Sequence, residues 1–358
     1  MTNENIYLDI HVLQTVPSSN INRDDTGSPK TAFYGGVTRS RVSSQSWKRA
    51  MRVFFNSEGT ETSGLRTKDV VKLLSQSIRR LDTGIKDEDA IAKSIGVLTA
   101  CKIKIDKDNQ TGALLLISRG QIQKIAQYVL DHETYDKKVL KEIFNGEQSL
   151  DLALFGRMVA DNPELNVEGS AQVAHALSTH EVVPEFDYFT ALDDLQPDDN
   201  AGASMLGTIE YNSSTLYRYA NLNFRELEQN LGSDVAIKGA LQYVKSFLLS
   251  MPTGKQNTFA NKTLPSYVMV TIRNDTPVNL VSAFENPVKS NDGYVDTSIQ
   301  RLESEYESTL QFVSKPLATV VLSKFDTQFG EKVTNLNVLL DAVSDNIAKV
   351  ARNENDND

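Results

Sequence analysis

The chain has 358 residues, with 37 Lys and Arg against 47 Asp and Glu and a formal net charge of −10. That length allows a large core in one elaborated domain or two, and the acidic balance excludes a general cationic coat for polyanions. The single cysteine, Cys101, excludes an intrachain disulfide. No apolar run approaches the roughly 18–20 residues of a membrane span, and MTNENIYLDI lacks a basic leader, so a cytoplasmic protein without a signal peptide or membrane contact is expected.

Ile6–Val16 alternates apolar and polar residues and reads as a strand. Pro17–Thr31 is a polar loop carrying Arg23, Asp24 and Asp25. The most informative stretch follows it. No acid occurs between Asp25 and Glu58, yet the window holds Lys30, Arg39, Arg41, Lys48, Arg49 and Arg52. A basic island in an acidic chain is a local anion site. Thr38–Val42 alternates like a short edge strand with Arg39 and Arg41 on one side. Ser44 is placed to cap a helix beginning near Gln45. Trp47, Ala50, Met51, Phe54 and Phe55 then form one apolar stripe at about 100° per residue, with Gln45, Lys48, Arg49 and Arg52 on the opposite face. Trp47 lies mid-stripe and is expected in the core.

From Glu58 to His180 the pattern is mostly helical and more acidic, which suggests a helical insertion. Asp187–Leu192 and Leu206–Asn223 regain β character around a polar linker and read as a protruding hairpin-like arm. Asp234–Met251 is helical, Tyr267–Arg273 a strand, Thr297–Val313 helical, Ala318–Phe325 a strand and Asn335–Ala351 the last helix. The tail at Asn353–Asp358 is polar and expected to be disordered. The order is α+β and compatible with a split βαβ, ferredoxin-like plan.

Signatures of catalysis are missing from the sequence. His11, His132, His175 and His180 form no metal-binding spacing and each reads as structural or surface. There is no nucleophile elbow and no dinucleotide loop. Asp24–Asp25 and Asp193–Asp194 read as turn residues, although adjacent acids in a loop are compatible with Mg²⁺. The residues argue for binding, with no metal and no cofactor.

Several separated blocks resemble one family. They are DIHVLQTVPSSNINRDD, FYGGVTRSRVSSQSWKRAMR, LFGRMVAD, AQVAHALSTHEV, DYFTALDDLQ, GTIEYNSSTLYRYANLN and KQNTFA. In this order they resemble the CasC family, the crRNA-binding backbone subunit of the type I-E CRISPR complex Cascade. The stretch Gly59–Lys141 matches least. The resemblance implies an RRM-like palm at 1–57 and 182–352, helical fingers at 58–181 and a thumb at 193–216. It implies a non-catalytic subunit that polymerises along the guide crRNA beside further copies of itself and other Cascade subunits. The guide then pairs with a target DNA strand, which a separately recruited helicase–nuclease cuts.

Carried over by the resemblance, RNA contacts fall on Arg23, Ser43, Gln45, Lys48, Arg49 and Arg52, with Lys255 and Gln256 in a nearby loop. The basic strand adds Arg39 and Arg41 from its own pattern. Met158 corresponds to a fingers residue that wedges against bases, and Tyr211 and Leu216 to thumb residues at the kink. The alternative reading is a metal-dependent RNase that cuts guide-paired RNA with Asp24 or Asp25.

Overall fold

The computed structural model describes residues 5–58, 63–159, 161–191, 205–327 and 329–355. The outer part of the expected thumb (193–204), with Asp193–Asp194, and the last tail residues (356–358) lie outside them. The expected disordered tail is helical at its first three residues, because the last helix runs Leu336–Asn355. Chain contacts divide the protein into two compact units. One comprises Met1–Met51, Val173–Asn221 and Tyr243–Asp358; the other comprises Arg52–Gln172 and Leu222–Gln242.

The first unit is built on one large mixed sheet. Its strands include β1 (Tyr7–Ser19), β2 (Thr31–Tyr34) and β3 (Val37–Val42). Across the sheet the order is Glu331–Lys332, Ala318–Ser323, Tyr267–Arg273, β1, Met205–Asn223, Ala176–Ser178, β3, β2. β1 is central and antiparallel to Tyr267–Arg273, with Leu8 opposite Ile272 and Val12 opposite Val268. Ala318–Ser323 pairs in parallel with Glu331–Lys332 at the sheet edge. Leu13, Met269, Ile299, Leu302 and Phe284 close one apolar cluster against this sheet. Helix Val295–Thr309 supplies Ile299 and Leu302, three residues apart on its buried stripe.

The strand Met205–Asn223 has two characters. Its outer half pairs with Glu185–Ala191, from Glu185 opposite Tyr211 to Ala191 opposite Met205. Phe186, Tyr188 and Leu206 share one face of this ribbon and are exposed. On the other face the Phe189 ring lies over Gly207, where an added Cβ would sit 2.3 Å from the ring. From Asn212 onward the strand enters the sheet interior. Two of its buried polar side chains are partnered from neighbouring strands: Asn212 accepts from Ser40 Oγ at 3.1 Å, and Thr215 Oγ1 lies 2.9 Å from Thr15 Oγ1.

Buried ionisable groups also tie β1 to its neighbours. Tyr219 donates to Asp9 at 2.7 Å, and Val278 N donates to the other carboxylate oxygen at 3.1 Å. Burial nevertheless dominates and pushes Asp9 up to about 6. His11 Nδ1 lies 2.9 Å from the Tyr217 hydroxyl, and burial, with Arg273 adding, pushes its imidazole down to about 3. His11 is therefore neutral in the fold, while an unfolded chain takes up its proton below about pH 6.5. The sign follows: this stability is present above the free-histidine value and is lost as pH falls toward 3. Relative to a His11→Gln variant, the native chain should lose about 1.4 kcal/mol per pH unit across that window. Urea titrations at several pH values read this difference directly; parallel pH profiles would contradict it.

The second unit is mainly helical, with a two-stranded ribbon of Leu65–Thr67 and Leu115–Ile117. Helices Val70–Leu81, Asp87–Ala100, Arg119–Asp131 and Lys137–Asn145 place Leu74, Ile78, Val97, Ile125, Val129, Leu140 and Phe144 in one core. Ser118 and Gln121 form a reciprocal capping box at the start of Arg119–Asp131, which explains where that helix begins.

Candidate nucleic-acid interface

The basic island folds as a hairpin leading into a helix. β2 and β3 join through Gly35 and Gly36, both left-handed, with φ of +61° and +81°. Two successive positive φ values suit a tight hairpin turn and favour glycine. β3 then leads into α1 (Ser44–Ser57). The helix starts one residue earlier than expected. Ser43 is the residue before it, and its carbonyl accepts from Ser46 N and Trp47 N at 3.0 and 3.2 Å. Trp47, Met51 and Phe55 are fully buried, so the stripe faces the core as its spacing predicts. The Arg218 guanidinium lies 3.8 Å from the centre of the Trp47 ring, which removes Trp47 as a stacking surface for bases.

The loop before β2 is fixed from several sides. Asn20 Nδ2 donates to Gly27 O and Glu210 O, both at 2.9 Å. Asn22 Oδ1 accepts from Ser43 N at 2.8 Å, which joins the loop to the start of α1. Gly254 approaches so closely that an added Cβ would lie 2.4 Å from Ile21 O. This contact brings Lys255, at φ +50°, and Gln256 beside the loop. Residues 21–27 and Gly254 line a shallow surface depression, and Arg23 is exposed on it. Tyr211 is half-buried, its ring 5.6 Å from that of Phe259 in the short helix Gln256–Phe259.

Arg23 lies on this loop, Lys255 and Gln256 follow Gly254 against it, and Tyr211 packs on the same short helix; Arg41 precedes and Gln45 follows Ser43, which the loop holds through Asn22. Lys48 and Arg49 extend from α1. Arg49 is exposed, and partial burial holds the Lys48 ammonium below its ordinary value.

Four expected contacts are corrected. Arg39 is fully buried. Its guanidinium donates to the carbonyls of Tyr34, Ser178, Phe284 and Glu285 at 2.8–3.3 Å, so it braces the hairpin from within. Ser43 is buried, and its N–H is engaged by Asn22. Leu216, expected at the thumb kink, is 1% exposed and belongs to the sheet interior. Arg52 donates from Nε to Asp151 at 2.8 Å. Asp151 is fully buried and also accepts from Gly64 N and Ser149 Oγ, both at 2.7 Å. The first task of Arg52 is to neutralise that carboxylate.

In the second unit, Met158 is 82% exposed. Its neighbours explain how it is held out. Gly156, at φ +73°, has no room for a side chain, since a Cβ would meet Val167 O at 2.5 Å. The buried Arg157 guanidinium donates to Leu165 O at 2.9 Å, Phe144 O at 2.8 Å and Gln121 Oε1 at 3.3 Å. Val159 N donates to Asn166 Oδ1 at 2.6 Å. Both flanks are locked while the methionine projects, an arrangement that suits an apolar wedge.

The Asp24 carboxylate is held below its ordinary value by the Thr26 hydroxyl first. Its Oδ1 accepts from Thr26 Oγ1 at 2.7 Å, Thr26 N at 2.9 Å and Ser28 N at 3.0 Å. It closes the loop on itself. Among the described residues no three His, Cys, Asp or Glu side chains are grouped to hold a metal. No described helix is long and apolar enough to cross a membrane.

A solved chain described as "CRISPR RNA-guided surveillance complex, pre-nicking" is similar at 31% identity and a TM-score of 0.84, covering 94% of this chain and 99% of that one. Another, described as "CRISPR RNA-guided surveillance complex", is similar at 27% identity and a TM-score of 0.73, with the same coverages of 94% and 99%. No curated protein matches the chain. Residues 8–346 match the family described as CT1975-like protein. The match spans nearly the whole length, and the chain belongs to the CT1975-like family, as the CasC resemblance of its motifs implied.

Proposed function

We propose that this chain is a non-catalytic backbone subunit of a type I-E CRISPR RNA-guided surveillance complex. It polymerises along the guide crRNA and presents it for pairing with a target DNA strand. The observation that carries this reading is the cationic and polar surface around the locked 20–30 loop. Arg23 lies on that loop, Lys255 and Gln256 follow Gly254 against it, and Arg41 lies two residues before Ser43, where the loop is tied to the start of α1, a backbone geometry suited to phosphate. Contacts of this kind position a nucleic acid without reading its sequence, as a carrier of any guide requires.

Met158 is the wedge in this account, because an exposed methionine offers an apolar edge to any base. The Glu185–Ala191 ribbon, with Phe186, Tyr188 and Leu206 exposed, is the base of the thumb that a neighbouring copy and the guide cover. The first unit is the palm, read as an elaborated RRM-like plan. Its support is the antiparallel pairing of β1 with Tyr267–Arg273 at the centre of the sheet, with helix Val295–Thr309 following in the chain before strand Ala318–Ser323. Partners are further copies of the chain, other Cascade subunits and, indirectly, a helicase–nuclease in the cytoplasm. The non-catalytic reading is supported by Asp24, whose carboxylate is spent on its own loop. Metal-dependent cuts in guide-paired RNA that vanish in an Asp24→Ala, Asp25→Ala variant would favour the RNase instead.

Arg23 and Arg49 are exposed, so an Arg23→Ala, Arg49→Ala variant should keep its stability within about 0.5 kcal/mol. It should bind single-stranded RNA more weakly, whatever the sequence, and its log–log salt slope should fall by about 0.7 per lost contact. An unchanged affinity and slope would remove both residues from the interface.

A further inference from the structure

Three cationic or basic side chains from separate segments meet near the start of α1: Lys30, Arg41 and His175. Arg41 N donates to Lys30 O at 2.9 Å, which sets the two residues side by side. Arg41 Nε donates to Thr31 O at 2.9 Å and so aims the guanidinium. Arg41 Nη1 lies 3.2 Å from His175 Nδ1. A guanidinium only donates. His175 Nδ1 is therefore the acceptor, the imidazole is neutral, and its proton sits on Nε2. The ring is exposed, and the adjoining strand pairs Val42 with Ala176 and Arg41 with Leu177, which fixes its position on the sheet.

The charged groups facing His175 are Arg41 from β3 and Lys30 from the preceding loop. Partial burial first, with Arg41 and then Lys30 adding, holds it below the ordinary histidine range. Among the described residues, no carboxylate lies within ion-pair distance of Lys30 or Arg41. Like charges gathered without a counter-charge, in a chain of net charge −10, are relieved by an external anion.

We infer that Lys30, Arg41 and His175 form one subsite for a phosphodiester of single-stranded RNA. His175 donates from Nε2 while the guanidinium and ammonium supply charge. The inference rests on the RNA-binding reading and adds to it a residue that its spacing in sequence marks only as structural or surface. Its distinguishing consequence is a pH dependence. A bound phosphate accepts from Arg41 Nη1 in place of the imidazole and offsets the repulsion from Arg41 and Lys30, which frees His175 Nδ1 to take up a proton more readily in the complex than in the free protein. RNA binding should then tighten as pH falls.

The test is anisotropy of a labelled oligouridylate, about 30 nucleotides long, with the full chain at fixed ionic strength from about pH 8 to about pH 5.5, a range in which neither uracil nor phosphodiester titrates. The unsubstituted protein should bind about threefold to tenfold more tightly at the acid end, up to a factor of ten per unit of restored pKa. His175→Gln, which keeps an N–H donor, should bind within about twofold of it at the alkaline end and show a flat profile. Circular dichroism confirms that the variant is folded. The same pH slope in both proteins would overturn the subsite while leaving RNA binding intact. Failure of the unsubstituted protein to bind at any pH would overturn both readings.

Discussion

Replacing Gly35 with alanine is expected to lower the free energy of unfolding by more than about 4 kcal/mol, or to prevent folding, a loss reserved for changes that force the backbone apart. An added Cβ would lie 1.6 Å from Glu285 O, and φ is +61°, where L side chains are strained. Neither contact can give way cheaply. Glu285 O and Phe284 O are also the acceptors of the buried Arg39 guanidinium, so the turn they belong to is already pinned. Gly36 is the control. It shares the left-handed conformation at φ +81° but has open space around it. Gly36→Ala should therefore lose only about 1–2 kcal/mol, the conformational penalty alone. Urea denaturation of both variants decides the matter; equal losses would show that the approach to Glu285 does not constrain the hairpin.

The second large effect falls on Arg52. Arg52→Ala should destabilise the chain by about 3–5 kcal/mol, because it strands a fully buried carboxylate without its counter-charge. Asp151 has no exposed side-chain surface and Arg52 has 19%. Asp151 keeps Gly64 N and Ser149 Oγ as donors, but these do not replace a guanidinium. Arg49→Ala on the same helix should stay within about 0.5 kcal/mol of the native chain. A triple substitution of Lys48, Arg49 and Arg52 would thus mix lost folding with lost RNA contacts. A midpoint for Arg52→Ala within error of that for Arg49→Ala would contradict the structural role.

These two residues mark the boundary of what the sequence discloses. The stripe of Trp47, Met51 and Phe55 was legible because helical periodicity alone decides which face is apolar. The opposite face was legible as basic, but the fate of each cation was not. Arg52 meets Asp151 across 99 residues, and Arg39 meets carbonyls 139 and 245 residues away. No local pattern encodes such contacts. Strand alternation correctly gives Arg39 and Arg41 a common side, yet only one of them reaches solvent. Leu216 shows the converse. Asn212, Ser214, Thr215 and Arg218 make its segment look like an exposed arm, whereas each is buried in the sheet interior. Hydrogen-bond partners from distant strands make such burial tolerable, and polarity alone cannot reveal it. The motif LFGRMVAD leaves Met158 ambiguous between core and surface. Its exposure becomes intelligible only through Gly156 and the carbonyls that hold Arg157.

The measurement that bears most directly on the central claim is chemical probing of a guide RNA in the assembly formed by this chain. Expressed with a CRISPR array and its partner subunits, the chain should purify with RNA. The protected backbone should run along the guide, and base reactivity should recur at a regular interval, one repeat per copy. Met158→Ala should blur that repeat without releasing the RNA. A chain that purifies free of nucleic acid and shows no affinity for the guide, or a guide reactive uniformly along its length, would contradict the account.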